Sequence, residues 1–237
     1  MKKITDSKVF AVICFAVGLI TLLSVVLQTA FPSVVFPESL EFVGSGVNLL
    51  AYFTILSNIF VGIWLIIFAF YLLFKTKILS FILNPVLQGA LTLYIFITGV
   101  VYFGILTWAM DFDFETTVLY EIVNYINHLI LPLFFTTLWF LPANEKKLAF
   151  KDTLIWLVFP LAYFVFSMIR GAFTNFYPYP FLDPSILGQL WNFLNGFFMV
   201  GVAFVLLVGV FIGAGYLLML LRNKIISKYG GEKVVEV

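Results

Sequence analysis

The chain has 237 residues, of which 63% are hydrophobic and only 11% charged, with a mean hydropathy of +1.11. Soluble domains carry about 25% charged residues, so a soluble domain is excluded and an all-α, polytopic membrane protein is expected. The net charge of +1 says nothing about a nucleic-acid partner, and the distribution of charge says more; the single cysteine, Cys14, excludes both a disulfide framework and a Cys/His metal cluster.

A helix crosses the hydrocarbon with about 20 apolar residues. Six runs qualify, at about 9–31, 48–74, 86–108, 118–141, 153–171 and 188–222, which predicts one six-helix transmembrane domain. The first run follows Lys2, Lys3 and Lys8, as a signal peptide would. Its apolar core of about 23 residues exceeds the roughly 7–15 of a cleavable segment, so a retained helix is expected. The second run carries Thr54, Ser57 and Asn58, the third Tyr94, Thr98 and Tyr102, and the fourth Glu121, Asn124, Asn127 and His128. Between the fifth and sixth runs lies Tyr177-Pro178-Tyr179-Pro180-Phe181-Leu182-Asp183-Pro184. Its three prolines fix φ and favour a stiff, extended aromatic element, either an interfacial belt or a lid. The last run of about 35 residues measures about 52 Å as a helix, so it must tilt, break or project, with Gly196 and Gly201 as hinge points. Gly209-x-x-x-Gly213 permits close helix approach, within the chain or between copies.

Six spans put both termini on one side, and basic residues say which. Lys2, Lys3, Lys8, Lys75, Lys77, Lys146, Lys147, Lys151, Arg222, Lys224, Lys228 and Lys233 share that face, twelve of thirteen, with Arg170 opposite. The positive-inside rule makes that face cytoplasmic. A multi-pass protein of the cell membrane, in a bacterium the plasma membrane, with both termini inside, is expected. The outer loops hold Glu38, Glu41, Asp111, Asp113, Glu115 and Asp183.

With this orientation the intramembrane polar residues gather in the outer leaflet: Thr54, Ser57 and Asn58, then Glu121, Asn124, Asn127 and His128, then Gln189, Asn192 and Asn195. At 100° per residue, Glu121, Asn124 and His128 share an arc of roughly 60°, while Asn127 lies about 100° from His128. Tyr94, Thr98 and Tyr102 form a stripe at i, i+4 and i+8. If these faces point inward they line one pocket. His128 is the only histidine, and an ionisable residue within a span marks a functional site by default. Pro132 removes the hydrogen bond to the His128 carbonyl and loosens the helix there. The bland roles are a threonine bonded to its own i−4 carbonyl and asparagines that join helices.

One histidine excludes bis-histidine haem ligation and multi-histidine zinc, and neither HExxH nor G-x-S-x-G is present. No cofactor and no metal are expected. What remains is a hydroxyl nucleophile with one imidazole base, the minimum for acyl transfer. Thr54 within Tyr52-Phe53-Thr54-Ile55-Leu56-Ser57-Asn58, and Asn127-His128 followed by Pro132, resemble the androgen-induced protein family of six-helix membrane hydrolases. The Tyr-Pro-Tyr-Pro-Phe-Leu-Asp stretch looks more like that family's prokaryotic six-helix relatives.

The resemblance implies cleavage of fatty-acyl esters of hydroxy lipids, with Thr54 as nucleophile and His128 as base. His128 would take the Thr54 proton during attack on an ester carbonyl and protonate the leaving alkoxide, and water, activated the same way, would clear the acyl-threonine. Ser57, Asn58 or Asn124 would donate to the oxyanion. Asn124 is the local candidate for orienting His128, since Glu121 lies roughly 10 Å away along the helix. The partner would be a membrane lipid or lipid-like substrate entering laterally, with no nucleic acid. The alternative is a non-catalytic protein that binds or carries a lipid or small amphiphile. A proton-coupled transporter using Glu121 and His128 fits less well, because no inverted repeat is visible and no polar path continues inward.

Overall fold

The structure, a computed structural model, describes residues 7–35, 46–107, 117–141, 145–190 and 195–229. Every regular element among them is helical, and six helices are long and apolar enough to cross a membrane. These are α1 (Lys8–Ala30), α2 (Phe53–Phe74), α3 (Pro85–Val101, running on through a π turn at Tyr102–Leu106), α4 (Val118–Trp139), α5 (Phe150–Thr174) and α6 (Gly196–Tyr229). Local chemistry sets their starts. The Ser7 hydroxyl accepts the Val9 N–H (3.2 Å) at α1, and Asn84 accepts the Val86 N–H (2.9 Å) ahead of α3, whose first residue is Pro85. Thr117 accepts the Tyr120 N–H (3.1 Å) and donates to the Val35 carbonyl (3.0 Å), fastening the start of α4 to the short helix Pro32–Val35.

α1 and α2 cross at paired glycines: a Cβ on Gly18 would lie 2.8 Å from the Gly62 carbonyl oxygen. That close approach buries Ala11 and Cys14 against the α2 face of Val61, Leu65 and Phe68. Trp64, Phe68 and Phe135 continue the core, and fully buried Trp139 and Trp156 close it near the far end of α6. There Trp139 donates its indole N–H to the Leu218 carbonyl (3.1 Å). The Arg222 guanidinium lies over the Trp139 ring (4.6 Å) and donates to the Lys146 carbonyl (2.8 Å). Asn223 exchanges hydrogen bonds with the backbone of Leu148, so the 145–149 connection is pinned onto α6.

Several boundaries differ from the sequence expectation. The second run was expected from 48, but Gly46–Leu49 is a separate short helix and Tyr52 is extended (ψ 135°) before α2. α5 begins at Phe150 and breaks at Trp156 and Leu157, because Pro160 has no N–H for the Trp156 carbonyl. The last run divides into Pro184–Leu190 and α6, with 191–194 outside the described residues. α6 then continues for 34 residues, about 51 Å, past the expected end at 222. Gly196 begins α6 rather than hinging it, and Gly201 lies within unbroken helix. Arg222 is therefore not a tail residue but a buried member of the packed helix. Gly209 and Gly213 have nothing within 4 Å of a built Cβ, so their motif packs against no described helix of this chain.

Candidate functional site

The first turn of a helix has backbone N–H groups without intrahelical partners, and in an apolar setting these must be satisfied. Tyr52, the residue before α2, supplies no side-chain cap. Two tyrosines from distant segments do so instead. Tyr163 on α5 accepts the Phe53 N–H (3.1 Å) and donates to the Ala51 carbonyl (2.8 Å). Tyr179 accepts the Thr54 N–H (3.3 Å), and its hydroxyl stands 3.3 Å from the Thr54 Oγ1. Burial pushes the Tyr179 phenol above its ordinary value, against the lowering effect of its bonds to Thr54 and Phe53. At neutral pH it is a protonated hydroxyl beside the Thr54 oxygen, and either of the two can donate to the other.

Thr54 opens onto a cavity of about 80 Å³. α3 contributes Ile97 and Val101 to its walls, α5 Leu161 and Phe164, and α6 Phe204 and Val208. Thr98 and Tyr163 also line it, but their hydroxyls are engaged elsewhere, Thr98 with Ser57 (2.9 Å) and the Tyr94 carbonyl (3.0 Å). The cavity is thus hydrocarbon-like, with the Thr54 and Tyr179 hydroxyls at one end.

A second polar cluster lies one turn deeper. Asn58 donates to the Thr54 carbonyl (2.7 Å) and to the Asn127 carbonyl (3.4 Å). Ser24 on α1 shares its proton between the Thr21 carbonyl (2.7 Å) and the Asn127 Oδ1 (2.8 Å). Asn127, placed off the polar face by helical phase, is fully buried, and it joins α1, α2 and α4.

His128 sits in a π segment, Ile126–Ile130. Pro132 cannot donate to the His128 carbonyl, and the helix takes up one extra residue, with the Leu131 N–H reaching the Ile126 carbonyl. The imidazole stacks on Tyr102, itself in the π turn of α3 (centroids 3.9 Å apart, 24°). Its Nδ1 lies 3.1 Å from the Asn124 carbonyl. A carbonyl only accepts, so Nδ1 carries the proton and Nε2 presents a lone pair. The orienting group is thus the Asn124 backbone, while the Asn124 side chain donates to the Tyr102 hydroxyl.

The structure brings Thr54, Ser57, Asn58, Thr98 and Asn127 together, and Asn124, His128 and Tyr102 into an adjoining group. Thr54 and His128 share no hydrogen bond, and His128 does not line the cavity. Glu121 stands half-buried in the first turn of α4, with no side-chain hydrogen bond to a described residue. Tyr94 faces Phe53 and Phe159 rather than the hydroxyl cluster. Gln189 and Asn195 are exposed, Asn195 accepting the Phe197 N–H (2.8 Å) at the start of α6; Asn192 lies outside the described residues. Sequence reasoning missed Ser24, Tyr163 and Tyr179. Thr21, Ser24 and Gln28 are all buried, and their i, i+3, i+7 spacing was the available signal for a polar face on α1.

The π segment depends on close approach from α3. A Cβ at Gly99 would lie 3.0 Å from the His128 carbonyl oxygen and 3.1 Å from the Pro132 Cβ. Gly99→Ala is expected to cost about 1–3 kcal/mol, read as a lower melting temperature in detergent. Gly104→Ala, where a Cβ meets nothing within 4 Å, is expected to leave it unchanged.

No protein-family model, curated protein or solved structure matches this chain.

Proposed function

We propose that this chain is an integral membrane protein that binds a lipid-like amphiphile, apolar tail in the cavity and polar head against the Thr54 and Tyr179 hydroxyls. The observation that carries this reading is an apolar cavity with two adjacent hydroxyls, those of Thr54 and Tyr179, at one end. The cavity takes a short stretch of chain rather than a whole lipid, held by buried apolar surface and oriented by a few polar groups. The basic residues assign the Arg222 end to the cytoplasm and the Thr54 pocket to the outer half of the membrane. The test is binding of a fluorescent fatty acid or fatty alcohol to protein in nanodiscs. Saturable binding that weakens in Thr54→Val supports the reading; uptake no greater than by empty nanodiscs refutes it.

Hydrolysis of a lipid ester at Thr54 is the second reading. It is favoured by the His128 imidazole in the adjoining helix, whose Nδ1 lies 3.1 Å from the Asn124 carbonyl and which therefore leaves Nε2 for a base. The reaction requires Nε2 to reach the Thr54 hydroxyl, directly or through one water, and the Tyr179 hydroxyl stands 3.3 Å from the reacting oxygen. A fluorophosphonate probe distinguishes the two readings: the hydrolase is labelled, and labelling falls to background in both Thr54→Ala and His128→Ala. A binder that turns nothing over shows no labelling in any variant.

A further inference from the structure

The cavity could be filled from the Tyr179 end or from the side, and the two walls differ in construction. At the Tyr179 end, contacts are dense. Tyr179 is buried, stacked on Phe181 (5.1 Å, 5°) and edge-on to Tyr52 (5.5 Å). A Cβ on Gly171 would lie 2.1 Å from the Tyr177 ring, so that ring lies flush on α5. Arg170 donates to the Phe176 carbonyl (3.2 Å) and to Asn48 (2.5 Å), and lies over the Phe176 ring (4.6 Å). This end is latched by hydrogen bonds, a cation–π contact and ring packing together.

The side between α5 and α6 is closed at the cavity by an aromatic pair. Phe164 and Phe204 both line the cavity and stack on each other (centroids 3.9 Å, 26°). Leu161, in the same wall, is 39% exposed. Beside the pair, Val165 and Val205 turn outward, 54% and 67% exposed. Gly201 lies about one turn before Phe204 on a neighbouring arc of α6, and a Cβ there would meet nothing within 4 Å. An aromatic pair contributes only about 0.5–1.5 kcal/mol beyond its buried area, far less than the latch opposite.

We propose that a single-chain membrane amphiphile enters this cavity sideways from the lipid, between α5 and α6, through a door formed by the stacked Phe164 and Phe204 rings. The inference rests on the amphiphile-binding reading and adds the route and the source of the ligand. The occupant is an acyl chain because the door opens from spans whose outward side chains are hydrocarbon onto walls of the same kind. Its head travels last and stops at Thr54 and Tyr179.

The experiment measures uptake rate and equilibrium binding of a fluorescent single-chain fatty acid supplied in phosphatidylcholine vesicles to protein in nanodiscs. Phe164→Ala and Phe204→Leu are each expected to speed both uptake and release of the ligand, uptake by about three- to tenfold. Arg170→Ala, which loosens the latch, is expected to leave the rate unchanged. Two variants on different helices guard against one that fails to fold. Unchanged uptake in both door variants, or acceleration in Arg170→Ala alone, overturns the door while leaving amphiphile binding intact. No saturable binding by the unaltered protein instead refutes the binding reading itself.

Discussion

Gly89→Leu is expected to prevent assembly of the bundle, and even Gly89→Ala to destabilise it by about 3 kcal/mol or more. A Cβ at this position would lie 2.1 Å from Cζ2 and 2.7 Å from Cη2 of Trp156, and 2.8 Å from Cη2 of Trp139. Neither ring has room to retreat, since both indoles are fully buried. Trp139 is also held by the Leu218 carbonyl and covered by Arg222. The overlap is with rigid rings rather than the end of a flexible chain, so α3 itself must move away from α4, α5 and α6. The measurement is the monodisperse fraction after detergent extraction, with the melting temperature for Gly89→Ala. Wild-type values for Gly89→Ala would contradict this packing.

The second large effect concerns the two hydroxyls. Thr54→Val keeps the side-chain shape and removes the oxygen; Tyr179→Phe keeps the ring and removes the phenol. Each is expected to weaken amphiphile binding up to about tenfold, the free energy of one hydrogen bond to a polar head. If both hold the same head group, the double variant should lose less than the sum of the single losses. Stability separates them. Tyr179→Phe leaves the Thr54 N–H without its acceptor, an expected cost of about 1–3 kcal/mol, whereas Thr54→Val leaves that bond intact. Equal melting temperatures for the two variants would contradict the capping role.

Much of the architecture was legible because a bilayer leaves few choices. Runs of about 20 apolar residues read directly as spans, and all six runs correspond to helices that long. Helical phase also paired Ser57 with Asn58 and placed Thr98 toward them. It failed where the helix is not α. The π segment at Ile126–Ile130 adds a residue to the turn, and Asn127, about 100° from His128 in an ideal helix, becomes the buried joint of three helices. Pro132 signalled a loosened carbonyl at His128, but proline alone does not say whether a helix kinks or widens. Tyr179 was hidden for another reason: its partner is a backbone N–H 125 residues away, which no local pattern encodes. The prolines around it identified a stiff element, and either a belt or a lid would have read the same.

The central claim is that an acyl chain occupies the Thr54 cavity. The most direct measurement is photocrosslinking with a fatty acid carrying a diazirine midway along its chain, added to protein in nanodiscs and mapped by mass spectrometry. Adducts are expected on the cavity walls, at Ile97, Val101, Leu207 and Val208, suppressed by excess unlabelled fatty acid and reduced in Thr54→Val. Adducts confined to outward side chains such as Val9, Val118 and Phe173, insensitive to competitor, would contradict it.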